Sequence, residues 1–373
     1  MKRLITTTLP ILLSLLFLQG LMVSGFSQQE KATGKWSMEK DGSGFKFEIE
    51  YIRSDGKSTQ SEKFNTSDFT GFKIGNQVSF SVVRPAGTMV FKGDVKANEG
   101  QGTFVFTPDN GFAKAITDNG FEAMKIEGMM LALFQNTPKS YFADLKKLGY
   151  SGLPNARLLA FIALEITPDY ISGIHKAGYP DLPAGNIVTF KAMKITTEYI
   201  RDMREWVGKD LTANELVQYS AMKIDKDYAK EMAQSGLDIT PNQLVQYKAL
   251  KIDPSYIADM RAVGFKDLNS NQITQLKGMD ITPEYVAKIR ELGFTEASSN
   301  EILQFKAMGI TEAFVKDLKQ AGYTDLSISQ LAQCKALNID RELIKKATDF
   351  YDGKRPEFRK LVTFAALRHS PGH

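Results

Sequence analysis

Apolar positions recur at helical spacing, three and four residues apart, from about Leu153 to Phe350. Seven copies of one pattern follow one another in this stretch, each 29 residues long except for one of 28. The copies begin at Leu153, Leu182, Leu211, Ile239, Leu268, Ala297 and Leu326. A strict period of this length is typical of stacked repeats, so the pattern predicts an α-solenoid in which each pair of helices packs on its neighbours.

The first half of each copy predicts one helix. When the first residue of a copy is taken as position 0, positions 5, 8 and 11 are apolar in nearly every copy. This spacing is that of the core-facing stripe of an amphipathic helix. Position 10 is alanine in six copies and Gly278 in the other. We therefore expect a neighbouring helix to approach closely at position 10, and Ala249→Leu to overpack that contact.

The second half of each copy predicts another helix with a marked start and end. Position 14 carries a Thr or Asp that can cap a helix N-terminus, and proline follows it in three copies. The caps are Thr167, Thr196, Asp225, Asp253, Thr282, Thr311 and Asp340. Position 17 is aromatic in six copies. Five copies end this helix at a glycine, which tolerates a left-handed backbone: Gly178, Gly236, Gly264, Gly293 and Gly322.

Between Trp36 and about Pro108 the apolar period changes from 3.6 to 2. Phe45, Phe47 and Ile49, for example, alternate with charged residues. Turn signals separate the alternating runs, including those at 41–42, 54–56, 75–76, 85–87 and 98–100. The pattern predicts an antiparallel β-domain of about six strands with one polar face. Because the domain is small, we expect it to lean on the first helices.

The N-terminus has the features of an export signal. A basic start at Lys2 and Arg3 precedes an apolar run from Leu9 to Met22 and small residues near Gly25. This predicts a secretory signal peptide that is cleaved after Gly25 or Ser27, with an uncleaved anchor as the alternative. No other segment approaches the length of a membrane-spanning helix. The formal charge of +4 falls to +2 once Lys2 and Arg3 are removed, which is too balanced to indicate nucleic-acid binding.

These patterns predict an α+β protein of two domains, a small antiparallel β-domain followed by an α-solenoid of about seven helix–turn–helix repeats. The predicted boundaries are 1–27 for the signal peptide, 28–110 for the β-domain, 111–152 for a helical bridge and N-terminal cap, 153–350 for the repeats and 351–373 for a C-terminal cap helix and tail. An irregular half-copy at 137–149 is part of that N-terminal cap.

Residue types that carry catalysis or bind metals are few. The chain has three histidines, His175, His369 and His373. The position of His175 holds Arg or Lys in most other copies, so we expect a solvated helix face there. The sequence has no HExxH, no GxSxG, no phosphate-binding GxxxxGK[ST] and no EF-hand loop. Cys334, the only cysteine, falls at core position 8, which predicts a buried and inert thiol.

One recurrent polar feature is not explained by core packing. Lysine recurs at position 9 and glutamine at position 7. The residues concerned are Lys191, Lys248, Lys277, Lys306 and Lys335, with Gln218, Gln246, Gln275, Gln304 and Gln333. In a stack they would form ladders able to bind an extended partner. The alternative is structural, with the lysines lying along the apolar surface and pairing with acids of the next repeat.

Three segments of the repeats, Ile281–Phe294, Gly309–Leu331 and Lys251–Leu268, resemble a helical repeat found in exported bacterial proteins. Similar repeats are attached to some membrane metallopeptidases of the β-lactam-sensing antirepressor type. The resemblance covers about 137–350 and implies an interaction role in a bacterial envelope protein. The transmembrane helices and HExxH of the peptidase are missing from this sequence, so its activity is not implied.

The sequence as a whole predicts a non-enzymatic, exported scaffold that binds a protein or peptide partner through the solenoid. We expect it in the periplasm, the cell envelope or the medium, without a lipid anchor and without a cofactor. The alternative is an envelope sensor whose β-domain binds a small molecule or glycan. Exposed aromatic residues among Trp36, Phe69, Phe72 and Phe91 would favour that alternative.

Overall fold

The computed structural model describes residues 31–53 and 56–369. The described parts of Met1–Ile200 and Arg201–His373 form two compact units, here called unit 1 and unit 2. The predicted signal peptide, most of the turn at 54–56 and the end of the tail lie outside the described residues. Within the described residues, no helix combines the length and the apolar character needed to cross a membrane. The fold is α+β, with an N-terminal sheet followed by stacked helices.

The N-terminal sheet is antiparallel and has seven strands in the order β3-β2-β1-β7-β6-β5-β4. Its strands are β1 (Ala32–Asp41), β2 (Gly44–Arg53), β3 (Gly56–Asn65), β4 (Phe69–Thr70), β5 (Gly75–Arg84), β6 (Gly87–Val95) and β7 (Glu99–Pro108). The prediction was about six strands, and the additional strand is β4, which is only two residues long. Strands this short carry no alternating pattern, so the sequence could not separate β4 from β3.

One face of the sheet holds a core of aromatic rings. Trp36 and Phe91 are almost fully buried, and their rings meet edge to face at 5.8 Å. Phe64 on β3 and Phe69 on β4 lie 5.4 Å apart although their strands stand at opposite ends of the strand order. The sheet is therefore curled around its aromatic face, and the opposite face is polar as predicted.

Eighteen helices follow the sheet within the described residues. In unit 1 they are α1 (Asn110–Asp118), α2 (Ile126–Phe134), α3 (Ser140–Lys147), α4 (Asn155–Ala163), α5 (Pro168–Lys176) and α6 (Ala184–Ala192). Helix α7 (Thr197–Trp206) contains the boundary between the units. In unit 2 they are α8 (Ala213–Ala221), α9 (Lys226–Ala233), α10 (Pro241–Leu250), α11 (Pro254–Ala262), α12 (Ser270–Gly278), α13 (Pro283–Glu291), α14 (Ser299–Ala307), α15 (Glu312–Gln320), α16 (Ile328–Ala336), α17 (Arg341–Phe350) and α18 (Phe358–His369).

The sheet leans on helix α2, as the size of the β-domain led us to expect. Helix α2 packs on β6 and β7. The guanidinium of Arg84 donates hydrogen bonds to the last carbonyls of α2, at Leu133 (3.0 Å) and Phe134 (2.6 Å). It also pairs with Asp68 at 3.3 Å. A cation at the C-terminus of a helix offsets the negative end of the helix dipole, so Arg84 joins sheet and helix.

Each repeat consists of two helices, here called helix A and helix B. In unit 2 the A helices α8, α10, α12, α14 and α16 stack in sequence, each against the next. In unit 1 the A helices α2, α4 and α6 do the same. This is the arrangement predicted for a solenoid, because each helix buries its apolar face mainly against the equivalent helix of the next repeat.

The predicted starts and ends of the B helices are confirmed. All seven cap side chains accept a hydrogen bond from the backbone N–H three residues on, at 2.8–3.2 Å. The five terminal glycines have φ between +76° and +109°. The A helices of unit 2 have caps that the sequence analysis missed, with the capping-box pattern of Ser, Thr or Asn followed by Glu or Gln three residues on. These caps are Thr212, Thr240, Asn269, Ser298 and Ser327.

The repeat begins earlier in the chain than predicted. Asp109 caps α1 through the N–H of Phe112 at 2.7 Å, and Gly120 follows with φ +85°. These three residues have the same spacing as Thr167, Tyr170 and Gly178, so α1 is a B helix and not a bridge. Helix α2 is the A helix of the copy whose B helix is α3, within the predicted half-copy. Its apolar sequence, IEGMMLALF, lacks the polar residues of the other A helices, so the repeat pattern was not recognised there.

The expectation of close packing at position 10 is wrong. Position 10 is exposed in six of seven copies, and a Cβ added at Gly278 would meet nothing within 4 Å. Ala249→Leu should therefore change the free energy of unfolding by no more than about 0.5 kcal/mol. Position 11 is half-buried, whereas the isoleucine at position 13 is buried in every copy: Ile166, Ile195, Ile224, Ile252, Ile281, Ile310 and Ile339. The third core position thus lies in the link between helices, where helical periodicity no longer applies.

Candidate partner-binding surface

The five ladder lysines lie in the contacts between repeats. Each places its ammonium group over the position 17 aromatic ring of the preceding copy, 4.1–5.1 Å from the ring centroid. The pairs are Lys191 with Tyr170, Lys248 with Tyr228, Lys277 with Tyr256, Lys306 with Tyr285 and Lys335 with Phe314. The lysines are half-buried. Their partner is a ring rather than the carboxylate that the structural alternative named.

Three of these aromatic residues also bind the backbone of the next repeat. The hydroxyl groups of Tyr170, Tyr228 and Tyr256 donate to the carbonyl of the isoleucine at position 13 of the following copy, at 2.7–2.8 Å. Tyr141 in α3 does the same with Ile166 at 2.8 Å. One tyrosine thus joins two repeats through both its ring and its hydroxyl group.

A second set of cations lies at the ends of the B helices. Arg261 donates to the carbonyl of Ser235 at 2.7 Å, and Lys319 to that of Leu292 at 2.6 Å, each in the preceding copy. His175 occupies the equivalent position and stacks on Tyr150, with its Nε2 3.2 Å from the tyrosine hydroxyl. The expectation of a solvated face for His175 is wrong, because its ring is half-buried against Tyr150 of the preceding copy.

The glutamines have a different environment from the lysines. Gln218, Gln246, Gln275, Gln304 and Gln333 are all exposed on the A helices of unit 2. Within the part of the chain that the structure describes, no side chain or backbone group forms a hydrogen bond with their amides. The structure therefore separates the two ladders. The lysines contribute to packing, and the glutamines face solvent.

The glutamines belong to a larger surface that the sequence analysis missed. On each A helix of unit 2 the exposed residues are those at positions 3, 7 and 10 and no others. Position 3 is Asn214, Asn242, Asn271, Asn300 or Ser329, and position 10 is Ala or Gly. Positions 3, 7 and 10 lie on one face of a helix. We call this surface, formed by positions 3, 7 and 10 of the five helices, the amide strip.

The amide strip carries no charged residue, whereas the exposed side of the B helices is highly charged. Helix α13 exposes Glu284, Lys288 and Glu291, and the other B helices of unit 2 are similar. The contrast is not a general property of the A helices in this protein. In unit 1, α4 and α6 carry Ala, Gly or Thr at positions 3 and 7, and neither helix has an exposed glutamine.

A shallow depression of about 400 Å³ adjoins the strip at the shortened repeat. It is lined by polar groups, among them Asp238, Thr240, Asn269 and Asn271. The copy that ends there has 28 residues instead of 29. Within the depression, Gln243 donates to the Asn271 side chain at 3.0 Å.

The sequence also offered Cys334 and the aromatic residues of the β-domain as candidates. Cys334 is fully buried, and burial raises the pKa of its thiol to about 11, which suppresses the reactive thiolate. Among the described residues, no group of three His, Cys, Asp or Glu could hold a metal ion. In the β-domain, Trp36 and Phe91 are buried, and Phe69 and Phe72 are half-buried and stacked on each other.

The chain was also compared with known proteins. No protein-family model matches it, and no curated protein matches it.

Proposed function

We propose that the protein is a non-enzymatic scaffold that binds a protein or peptide partner along the amide strip. The observation that carries this proposal is the uniform exposed face of the five A helices in unit 2, which holds only amide, hydroxyl and small side chains. Charged groups are depleted from the centres of protein interfaces because they are costly to remove from water. A neutral, hydrogen-bonding strip beside charged helices is suited to such a centre.

The chemistry of the side chains supports a polypeptide partner. A glutamine or asparagine amide has both donors and an acceptor, so it can pair with the N–H and the C=O of a peptide backbone. The lysines are less suited to this role because they are held over aromatic rings. A glycan-binding β-domain has no supporting observation, since the aromatic residues that would favour it pack against one another.

We further propose that the protein works outside the bacterial cytoplasm after cleavage of residues 1–27, as its N-terminal sequence predicts. The resemblance of its repeats to those of exported proteins supports the same location. The mass of the protein isolated from the host would show the cleavage, and an intact N-terminus would contradict it.

The test is crosslinking and capture from the host envelope fraction, with residues 28–373 as bait. The strip variant combines Gln246→Glu, Gln275→Glu and Gln304→Glu. The matched control combines Gln234→Glu, Ala258→Glu and Ala313→Glu, which adds equal charge at exposed positions of the B-helix side. We expect the parent and the control to capture one specific partner and the folded strip variant to lose it. Retention by the strip variant, or no specific partner at all, would rule out the proposed function.

A further inference from the structure

We infer that the segment bound by the amide strip is an uncharged polypeptide in the polyproline II conformation, which contacts successive repeats with every third residue. This inference rests on the proposed function and adds the conformation, the register and the length of the partner segment.

The spacing of the A helices suits this register. Neighbouring A helices approach with Cα atoms within 8 Å, and short polar bridges join them, such as Gln243 to Asn271 at 3.0 Å and Gln272 to Ser299 at 3.3 Å. Helices packed in this way have axes about 8–10 Å apart. A polyproline II helix rises about 3.1 Å per residue with about three residues per turn, so one turn spans about 9 Å. A segment that crosses the stack would therefore present the same side to each helix.

A β-strand fits the strip less well. It rises about 3.3 Å per residue and repeats its side-chain direction every second residue, or about every 6.6 Å. This repeat is shorter than the spacing of about 8–10 Å between helix axes, so equivalent side chains of a strand would not meet successive helices. The backbone of a polyproline II segment also has no internal hydrogen bonds, so its N–H and C=O groups are free to pair with side-chain amides.

The residues of the strip suit a close backbone. Position 7 offers an amide on every helix, and position 10 beside it is Ala or Gly, which leaves room for the partner chain. None of the strip positions 3, 7 and 10 on these five helices holds a charged residue, so the strip itself offers no opposite charge to a charged partner residue. Five repeats at three residues each correspond to a segment of about fifteen residues.

The test uses acetylated and amidated peptides of two to six Ala-Pro-Pro triplets, each with a fluorescent label, and measures Kd by anisotropy with residues 28–373. Alanine supplies an N–H at every third residue, and proline favours polyproline II at the other two. The control peptide has the composition of five triplets but irregular alanine spacing. We expect Kd to fall with each triplet up to the fifth and no further at the sixth, and the control peptide to bind about tenfold or more weakly.

The strip variant and the matched control variant complete the test. We expect the strip variant to weaken binding of the five-triplet peptide about tenfold or more and the control variant to leave it unchanged. Equal binding of the regular and irregular peptides, or no peptide binding while partner capture still depends on the strip, would overturn the register and keep the proposed function. Strip-dependent binding of an uncharged β-1,4-linked glucose hexasaccharide without peptide binding would overturn the inference in favour of a glycan. Equal peptide binding by both variants would overturn the inference and count against the strip itself.

Discussion

In three copies the tyrosine at position 17 makes two contacts with the next repeat. Its ring lies under a lysine, and its hydroxyl donates to a buried backbone carbonyl, as Tyr256 does with Lys277 and Ile281. Burial raises the pKa of Tyr141, Tyr170, Tyr228 and Tyr256 above the ordinary value of 10.0. The charged phenolate is therefore disfavoured in the folded state.

Because of this pKa shift, the free energy of unfolding depends on pH. Since the folded pKa is raised, the tyrosine contribution to stability is complete below pH 10.0 and is lost as the pH rises above that value. We expect Tyr256→Phe to lower the free energy of unfolding by about 1 kcal/mol at neutral pH. As the pH rises above 10.0, the free energy of unfolding of this variant should fall less steeply than that of the parent. Urea unfolding and phenolate absorbance measure both quantities. Ionisation of Tyr256 at the pH of free tyrosine would contradict the argument.

Glycine 293 ends helix α13 with φ +103°. Gly293→Val should lower the free energy of unfolding by about 1 kcal/mol or more, because a β-branched residue is strained in this region. Gly278→Ala is the control, since that glycine is helical, exposed and surrounded by open space. It should stabilise by about 0.5–1 kcal/mol. If both variants changed the thermal stability in the same direction, loss of the left-handed cap would not explain the effect of Gly293→Val.

At the scale of the element, a single A helix contains one face for packing and one for solvent. On α12, Ile273 and Leu276 are buried, Lys277 is half-buried over Tyr256, and Gln275 is exposed. The lysine and the glutamine are two residues apart in sequence and point in different directions. Identical substitutions at these two positions should therefore have different effects.

We expect Lys277→Glu to lower the free energy of unfolding by about 1 kcal/mol, because it removes a cation from the face of Tyr256 and brings an anion there. Gln275→Glu should change it by no more than about 0.5 kcal/mol and weaken partner binding instead. Thermal unfolding and the capture experiment together separate the two effects. If Lys277→Glu left stability unchanged but abolished binding, the lysine ladder would be the contact surface.

At the scale of the whole molecule, the ends of the repeat array need covering. Helix α18 packs on α17 and buries Leu361 and Ala365 completely. The hydroxyl of Tyr323 donates a hydrogen bond to the carbonyl of Pro356, in the loop before α18, at 2.7 Å. Terminal elements of repeat proteins are atypical because they must hide the last apolar face.

Leu361→Ala should cost about 2–5 kcal/mol, since it leaves a cavity under the cap helix. Leu367→Ala on the same helix is the matched control, because Leu367 is 70% exposed, and it should cost no more than about 0.5 kcal/mol. Denaturant unfolding followed by circular dichroism measures both. Equal losses would mean that α18 does not act as a cap.

Much of this architecture could be predicted from the sequence because its signals are local. The caps Thr167 and Asp253 act on N–H groups three residues away, and Gly293 ends its helix through its own φ. The same locality limited the prediction. Helix α2 is apolar and lacks the usual polar residues of an A helix, so its place in the array was recognised only from its packing on α4.

The candidate site was predicted in part. The ladders of Lys and Gln were evident from the 29-residue period, but the period alone treats both as equally available. Asn242 and Ala249 share an exposed face with Gln246, although the small size of Ala249 suggested a buried contact. Whether a helix face is covered depends on the neighbouring repeat, and that information is spread over residues far apart in the chain.

The sequence by itself determined the helix pairs, their caps, the change from helical to strand period and the burial of Cys334, because backbone propensity and apolar periodicity act over a few residues. Only the tertiary structure decided the strand order of the curled sheet and the assignment of α1 as a B helix and α2 as an A helix. It also decided the position of each ladder lysine over a ring of the preceding repeat and the exposure of the amide strip. Those features depend on which surfaces meet when repeats stack, and a repeated sequence does not state which of its faces its neighbours will cover.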